Sequence, residues 1–513
     1  MARRSTLLSS TLSVTLIILF SKGIGFVREM IMAAYFGADF VTDAYNSGYS
    51  LFYIPVLLFS SCITSTLVPQ YMRCRSELGQ SGADRFSSNA LTLFTLAALV
   101  ISGLMFVLAR PLVHLVYPGF HGKKLELTVT LTRVMLPALV FFVAGLVLSS
   151  ILNAREKYVA AQLTGLPLSI AEITAAVLLS RRFGIHAQAW GVIAAGVLQI
   201  VILVPFLRGS FKYRPVVAPD DAYLKRLLIL ALPAVLSMAV NELNHMVDRM
   251  LASSLNDGDI TAMTYAFKLI MFMMGVLVVP LTTVSFSKMA MQSLKADPRS
   301  VIPQVRESMR LLIMAALPLV LICAVENQHL IRFAYGRGRF TDENVHVTGY
   351  VFLCYVVGVP FFGLRDLTNR VFHAFEDTKT PMYIAMISVA VNIVLNLILR
   401  TFMGVYGLAL ATGIAACTGV ILLFAKLRKR ISGIFDKGFI KEMLKLLAAN
   451  LPMLAFTLFI SHIMPDRYGT LSVLLRLSVI TLLSLAVYAL MLLWVDRRRA
   501  SHLFRQLIHR IKR

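Results

Sequence analysis

Charge is scarce in this chain. Asp, Glu, Lys and Arg make up 15% of its 513 residues, while 58% are hydrophobic. A water-soluble domain with that balance would expose apolar patches large enough to aggregate, so a soluble fold is excluded. Cysteine is sparse as well. Cys62, Cys74, Cys323, Cys354 and Cys417 have no CxxC spacing, which excludes a thiolate metal cluster or a redox pair and leaves small core residues. The phosphate-cradling loop G-x-x-x-x-G-K-[ST] is missing: Gly119-Phe120-His121-Gly122-Lys123-Lys124 lacks both its spacing and its hydroxyl residue. There is no H-E-x-x-H and no G-x-S-x-G, and the ten histidines are scattered without ligand spacing. These absences argue against an ATP-driven pump, a hydrolase or any other enzyme, and no resident cofactor is expected. The net charge of +24 could suggest nucleic acid. The charges lie between apolar blocks with no aromatic-basic motif beside them, so no nucleic-acid partner is expected.

What is present is a series of apolar blocks, with a mean hydropathy of +0.76. Each is long enough for the ~20 residues that cross a bilayer. About fourteen such blocks follow one another, which predicts an all-α polytopic membrane protein in contact with membrane lipids. The start, MARRSTLLSSTLSVTLIILF, resembles a signal peptide, but no A-x-A-like site follows and the apolar pattern resumes to Phe36. An uncleaved first helix is expected. Lysine and arginine alternate between connections. The set with Arg73, Arg75, Arg155, Lys157, Lys212 and the stretch Lys426–Lys445 far outweighs the set with Lys123, Lys124, Arg181 and Arg182. The richer set belongs on the cytoplasmic side, with both termini and the basic tail Arg497–Arg513.

The chain also resembles itself at an offset of about 220 residues, a repeat signature of transporters. Asn153-Ala154-Arg155-Glu156 aligns with His373-Ala374-Phe375-Glu376, Gly184 with Gly404, Tyr45 with Tyr265 and Asp39 with Asp259. Six helices per copy give two lobes of the same orientation, related by an axis along the membrane normal. The expected organisation is an N-terminal six-helix lobe (1–210), a C-terminal six-helix lobe (211–430), and two extra helices with a basic cytoplasmic tail (431–513).

Ionisable residues at bilayer depth cost ~2.5–3.5 kcal/mol on insertion scales, so they should face a cavity or a partner. Lys22 and Arg28 lie on the first helix, with Glu29 adjacent. Asp43 is on the second, Glu242, Asp248 and Arg249 on the seventh, and Lys268 on the eighth. At the repeat offset Lys22 faces Glu242 and Arg28 faces Asp248, so the first lobe is cationic where the second is anionic. Lysine and arginine suit a diphosphate, arginine bidentately; an anionic wall suits a coupling cation. The same residues could instead pair across the axis, Lys22 with Glu242 and Arg28 with Asp248, as a gate or as plain structure. Arg365, Asp366 and Arg370 read as locks on a loop. Asn392 and Asn396 share one helix face. With Thr412 they offer either neutral oxygens for a small cation or interhelical hydrogen bonds.

Several stretches resemble one family. FFGLRDLTNRVFHAFEDTKTP (361–381), VNIVLNLIL (391–399) and MGVYGLALATGIA (403–415) are its most specific block, with YPGF (117–120), LTRVMLPAL (131–139), ILNAREK (151–157), AWGV (189–192) and VDRMLASSL (247–255) before it. They are similar to the MurJ/MviN lipid II flippases of the multidrug/oligosaccharidyl-lipid/polysaccharide exporter superfamily. The resemblance implies two six-helix lobes around a central cavity and a groove at helices 13 and 14 for a polyprenyl tail. It implies a monomer of the bacterial cytoplasmic membrane that carries an undecaprenyl-diphosphate-linked peptidoglycan precursor to the outer leaflet by alternating access. Lys22, Arg28 and Lys268 match the family's basic positions, and Asp43 its helix 2 acid, with Glu242 and Asp248 beside them as gating or ion-pairing groups. Asp248, Asn392, Asn396 and Thr412 match a sodium site, making sodium the candidate coupling ion. This chain departs from the family in having Lys22 and Lys268 where arginines are usual, Asn396 where an acid is usual, Met271 after the helix 8 cation, and SFSKM (285–289) after helix 8. Other readings are a flippase of another undecaprenyl-linked glycan, an ion-coupled drug exporter, or a non-transporting scaffold.

Overall fold

A computed structural model of the chain describes residues 2–209, 211–283, 289, 298–465 and 469–495, with side chains from Thr15 onward except Leu277 and Val495. The basic tail Arg497–Arg513, Arg467, Lys295 and residues 285–288 lie outside the described residues. All described regular structure is helical. That is what a bilayer demands, because a helix satisfies its backbone hydrogen bonds within one segment. Eleven described helices are long and apolar enough to span, or twelve if the bent pair Gly122–Met135 and Ala138–Ala154 is one span. The fourteen read from the sequence differ in counting the first helix, Ala2–Phe36, and in dividing Phe40–Val107. That 68-residue helix breaks at Gly79, whose φ of 70° and ψ of −171° are not helical. The chain is thus an all-α polytopic membrane protein, and its apolar surface fits. Leu99, Val100, Leu104 and Val107 are 55–72% exposed, an arrangement stable against acyl chains and not against water.

By packing, the chain forms two compact units: Met1–Thr261 with Arg337–Thr341, and Ala262–Gly336 with Asp342–Arg513. The helix Ala222–Ala252 falls in the first unit. The lobes 1–210 and 211–430 are a division by repeat and are carried forward below as a proposal.

In the first unit, Asp39 starts the Phe40–Val107 helix. Its Oδ1 accepts from the amides of Val41 and Thr42, both at 3.0 Å, and Thr42 completes a capping box. The helix packs Phe52, Ile63, Leu67 and Tyr71, all fully buried, against the Ala138–Ala154 helix with its Leu139, Val143 and Val147. In the second unit, helices Val359–Ala374 and Val405–Arg430 approach closely because glycine faces glycine. A Cβ on Gly358 would come within 2.9 Å of Gly413 Cα. The helices Lys437–Ile463 and Thr470–Val495 pair through Thr457 Oγ1 and Ser484 Oγ at 2.8 Å. Arg476 of the second reaches Glu326 with Nε at 3.1 Å and the carbonyl oxygens of Met464 and Ser461 at 2.7 and 2.9 Å.

The repeat is visible in the backbone of each unit taken separately. Glu156 and Glu376, 220 residues apart, are the two non-glycine residues with positive φ among the described residues, at 62° and 59°. Each amide donates to the residue three before it, Asn153 at 3.1 Å and His373 at 3.0 Å. Gly184 and Gly404 share a φ of 56°. Beside the second elbow, Asp377 accepts from the Thr380 amide and hydroxyl at 3.0 and 2.9 Å and from Arg430 at 2.8 Å. The Thr380 backbone bond, foremost, holds that carboxyl below the usual carboxylate range.

Candidate functional site

Three helices of the first unit deliver the charges. Ala2–Phe36 carries Arg28 and Glu29, Phe40–Val107 carries Tyr45, and Leu166–Thr174 carries Glu172. The last packs on the first helix and on His186–Leu207, turning Glu172 inward to 4% exposure. Arg28 NH2 lies 2.5 Å from Glu29 Oε1 and Arg28 Nε lies 3.2 Å from Glu172 Oε2. The Tyr45 hydroxyl donates to Glu172 Oε1 at 2.7 Å. Gln188 donates to the Glu172 carbonyl at 3.3 Å, fixing the helix that bears it. Tyr45, Tyr49 and Tyr53 line one face of the second helix with ring centroids 6.0 and 5.4 Å apart. A guanidinium held between carboxylates on two different helices is a site that can hand its donors to an incoming anion.

The expected pairing of Arg28 with Asp248 is not what the structure shows. The ion-pair partners of Arg28 are Glu29 and Glu172. Lys22 is exposed and makes no ion pair among the described residues, so the expected Lys22–Glu242 pair is also not formed. Glu242 is half-buried on the Ala222–Ala252 helix, Asp248 is 4% exposed, and Arg249 donates to Ser50 Oγ.

Asp43 is fully buried and saturated. It accepts from Lys124 Nζ at 2.8 Å, the Gly258 amide at 2.8 Å, and the Thr261 amide and hydroxyl at 2.9 and 2.7 Å. Lys124 also reaches Asp257 at 2.8 Å and sits 4.5 Å from the Phe120 ring centroid. The sequence placed Lys124 among loop charges; its role as the partner of Asp43 comes only with the fold.

In the second unit Lys268 lies 6.0 Å from the Tyr265 ring centroid, and Tyr265 stacks on Tyr335 at 4.8 Å. Asn396 donates to Asn392 Oδ1 at 3.0 Å, Asn392 lies 3.5 Å from Thr412 Oγ1, and Thr412 donates to the Leu408 carbonyl at 3.2 Å. The three polar residues do come together, as the sequence suggested. No group of three or more His, Cys, Asp or Glu suited to a metal occurs among the described residues. Arg370 pairs with Asp366 within one turn, at 3.2 Å.

Glu172 is the site residue missed in the sequence. Its signal was there: one acid in the apolar run LPLSIAEITAAVLL, 220 residues before Asn392.

Comparison with known proteins gives one consistent result. The family model described as "Lipid II flippase MurJ" matches residues 32–479. A probable lipid II flippase MurJ of Rhizobium meliloti (strain 1021) is 31% identical over 423 residues, covering 79% of this chain and 78% of that protein. The lipid II flippase MurJ of Burkholderia cenocepacia is 28% identical, covering 87% of this chain and 88% of the relative. Among solved structures, a lipid II flippase MurJ in an inward closed conformation superposes with a TM-score of 0.78 at 24% identity, covering 94% of this chain and 99% of the other. An inward-facing multidrug resistance MATE family transporter of the MOP superfamily follows at 0.70 and 15% identity, covering 81% and 95%. The structural likenesses speak for the fold.

Proposed function

Because this chain belongs to the MurJ family of lipid II flippases, we infer that it moves lipid II, an undecaprenyl-diphosphate-linked peptidoglycan precursor, across the bacterial cytoplasmic membrane. The observation that carries this reading is Arg28, a guanidinium on the first helix that is hydrogen-bonded to Glu29 and ion-paired with Glu172. A diphosphate presents planar pairs of oxygens to which such a group donates well. Lys22, exposed six residues earlier, and Lys268 supply further charge to the same anion. The chain acts as a transporter by alternating access between the lobes 1–210 and 211–430, which residues 431–513 follow in the sequence. Asp43, with Lys124, and Glu242 and Asp248 serve as gating groups. Membrane potential or an ion gradient drives the cycle; sodium at Asp248, Asn392, Asn396 and Thr412 is the candidate ion. The termini lie in the cytoplasm, as the lysine and arginine distribution favours, and the working unit is a monomer.

The test is complementation. The chain should restore growth to cells depleted of their own lipid II flippase, and Arg28→Ala should abolish rescue while the variant still inserts. Failure to rescue at good expression would reject lipid II as cargo and turn attention to another undecaprenyl-linked glycan. Rescue by Arg28→Ala would reject the phosphate contact. Transport indifferent to sodium would remove that ion.

A further inference from the structure

One guanidinium, two carboxylates and a phenol meet in a buried cluster within the first unit. The side chains of Arg28, Glu29 and Glu172 are 16%, 8% and 5% exposed. A phosphate drawn to Arg28 would take over donors that the acids now hold. It would also set a negative charge beside buried carboxylates. Like charges this close, away from bulk water, repel strongly. A carboxylate relieves this by binding a proton.

Glu172 is the better placed of the two acids. Tyr45 OH, at 2.7 Å, can donate to a carboxylate or accept from a carboxylic acid, so the contact survives in both states. Glu29 is on the same helix as Arg28 and moves with it, whereas Glu172 stands on another helix. Neutralising Glu172 therefore loosens a tie between two helices. The second copy of the repeat has Asn392 at this position, which has no charge to give up, so the exchange is confined to the first lobe.

We propose that Glu172 is a proton-binding site coupled to anion binding at Arg28. The carboxylate is charged and holds Arg28 before the anion arrives. It takes one proton from solvent as a phosphate engages the guanidinium, and releases it when the phosphate leaves. This rests on the reading of Arg28 as a diphosphate contact and adds to it a coupled ion. The ionisable groups facing Glu172 are Arg28 and Glu29 from the first helix and Tyr45 and Tyr49 from the second. Tyr53 continues the second helix's stripe. The titratable residue on His186–Leu207 is His186, at its first position.

The experiment measures binding of a polyprenyl diphospho-sugar, a diester whose phosphates do not titrate near neutrality, to the purified full chain. Wild-type affinity should rise by up to about tenfold per pH unit on going from about pH 8 to about pH 6, the slope of one linked proton. Dye-monitored uptake of one proton per bound ligand in weak buffer should accompany it. Glu172→Gln should bind with the low-pH affinity at every pH and take up no proton. A pH-independent wild type, or a slope retained in Glu172→Gln and lost in Glu29→Gln, overturns the proposal while leaving the diphosphate contact intact. Binding by Arg28→Ala equal to wild type overturns the contact itself. Should Glu172→Gln fail to fold, Glu29→Gln decides: proton uptake and pH slope kept there support Glu172, and their loss there overturns it.

Discussion

At the scale of single residues, Arg28 owes its position to the fork of its side chain. Nε and NH2 reach different acids on different helices, which a single ammonium cannot do. Arg28→Lys keeps the charge and should still lose about 1–3 kcal/mol of stability, seen as a lower melting temperature in detergent, together with weaker rescue of flippase-depleted cells. Tyr45→Phe removes the donor to a buried carboxylate. It should cost about 1.5–3 kcal/mol, the usual value for a hydrogen bond to a charged group, measured by the same melting experiment. An unchanged melting temperature in either variant would mean the cluster does not bear on stability.

Helices are held together at a few polar points, and the best defined is Glu326 with Arg476. Glu326 is fully buried and Arg476 is 5% exposed, and Arg476 lines a cavity of about 740 Å³ that also meets His329, Ser461 and His462. Removing one partner strands a buried charge, so Arg476→Ala should destabilise by about 3–5 kcal/mol. The double variant Arg476→Met with Glu326→Leu should recover most of that loss. Burial alone would raise the Glu326 carboxyl, but hydrogen bonds from His329, Arg476 and Ser461 and the charge of Arg476 outweigh it and hold the group at about 2. A depressed acid contributes its stability above its unfolded value, about 4.5, and loses it as pH falls through about 2. The melting temperature of the purified protein should therefore drop across that acid window, and much less in the double variant. Close helix contact is equally specific. At Gly358 an added Cβ first meets backbone, the Gly413 Cα and the Tyr355 carbonyl oxygen, so Gly358→Ala should lower the melting temperature more than Gly23→Ala, where a Cβ has no neighbour within 4 Å.

For the molecule as a whole, membrane topology is open to direct test. In a cysteine-free background, a cysteine at Ser432 should be shielded from an impermeant thiol reagent in intact cells, and one at Lys123 should react. The reverse pattern would invert the chain. The helical fold and the repeat were legible before any coordinates, because length, hydropathy and an offset of 220 are properties of order along the chain. Glu156 and Glu376 share a left-handed backbone for that reason. The partners of Arg28 were not legible. The offset pointed to Asp248, whereas tertiary packing turns Glu172 of another helix toward it. Offsets say which residues are equivalent, and only packing says which ones touch. The break at Gly79 falls where the sequence already divides Phe40–Val107 into two spans, because Arg73, Arg75 and Arg85 mark a connection outside the bilayer. Asn392, Asn396 and Thr412 were found because two of them share a helix face, a local property.

Asp43 has a consequence for how such a chain is made. Its partners Gly258 and Thr261 are translated more than two hundred residues after it, while chains emerge at roughly 5–20 residues per second. For that interval the ribosome has delivered the acid but not the amides that will receive it. Lys124, which pairs with Asp43 in the folded chain, emerges much sooner and is available to it in that interval. Biogenesis thus adds a second reason for a lysine at this place, beside the bonds it makes to Asp43 and Asp257 in the finished structure. Lys124→Ala should slow accumulation of the newly made chain more than it weakens the chain once assembled.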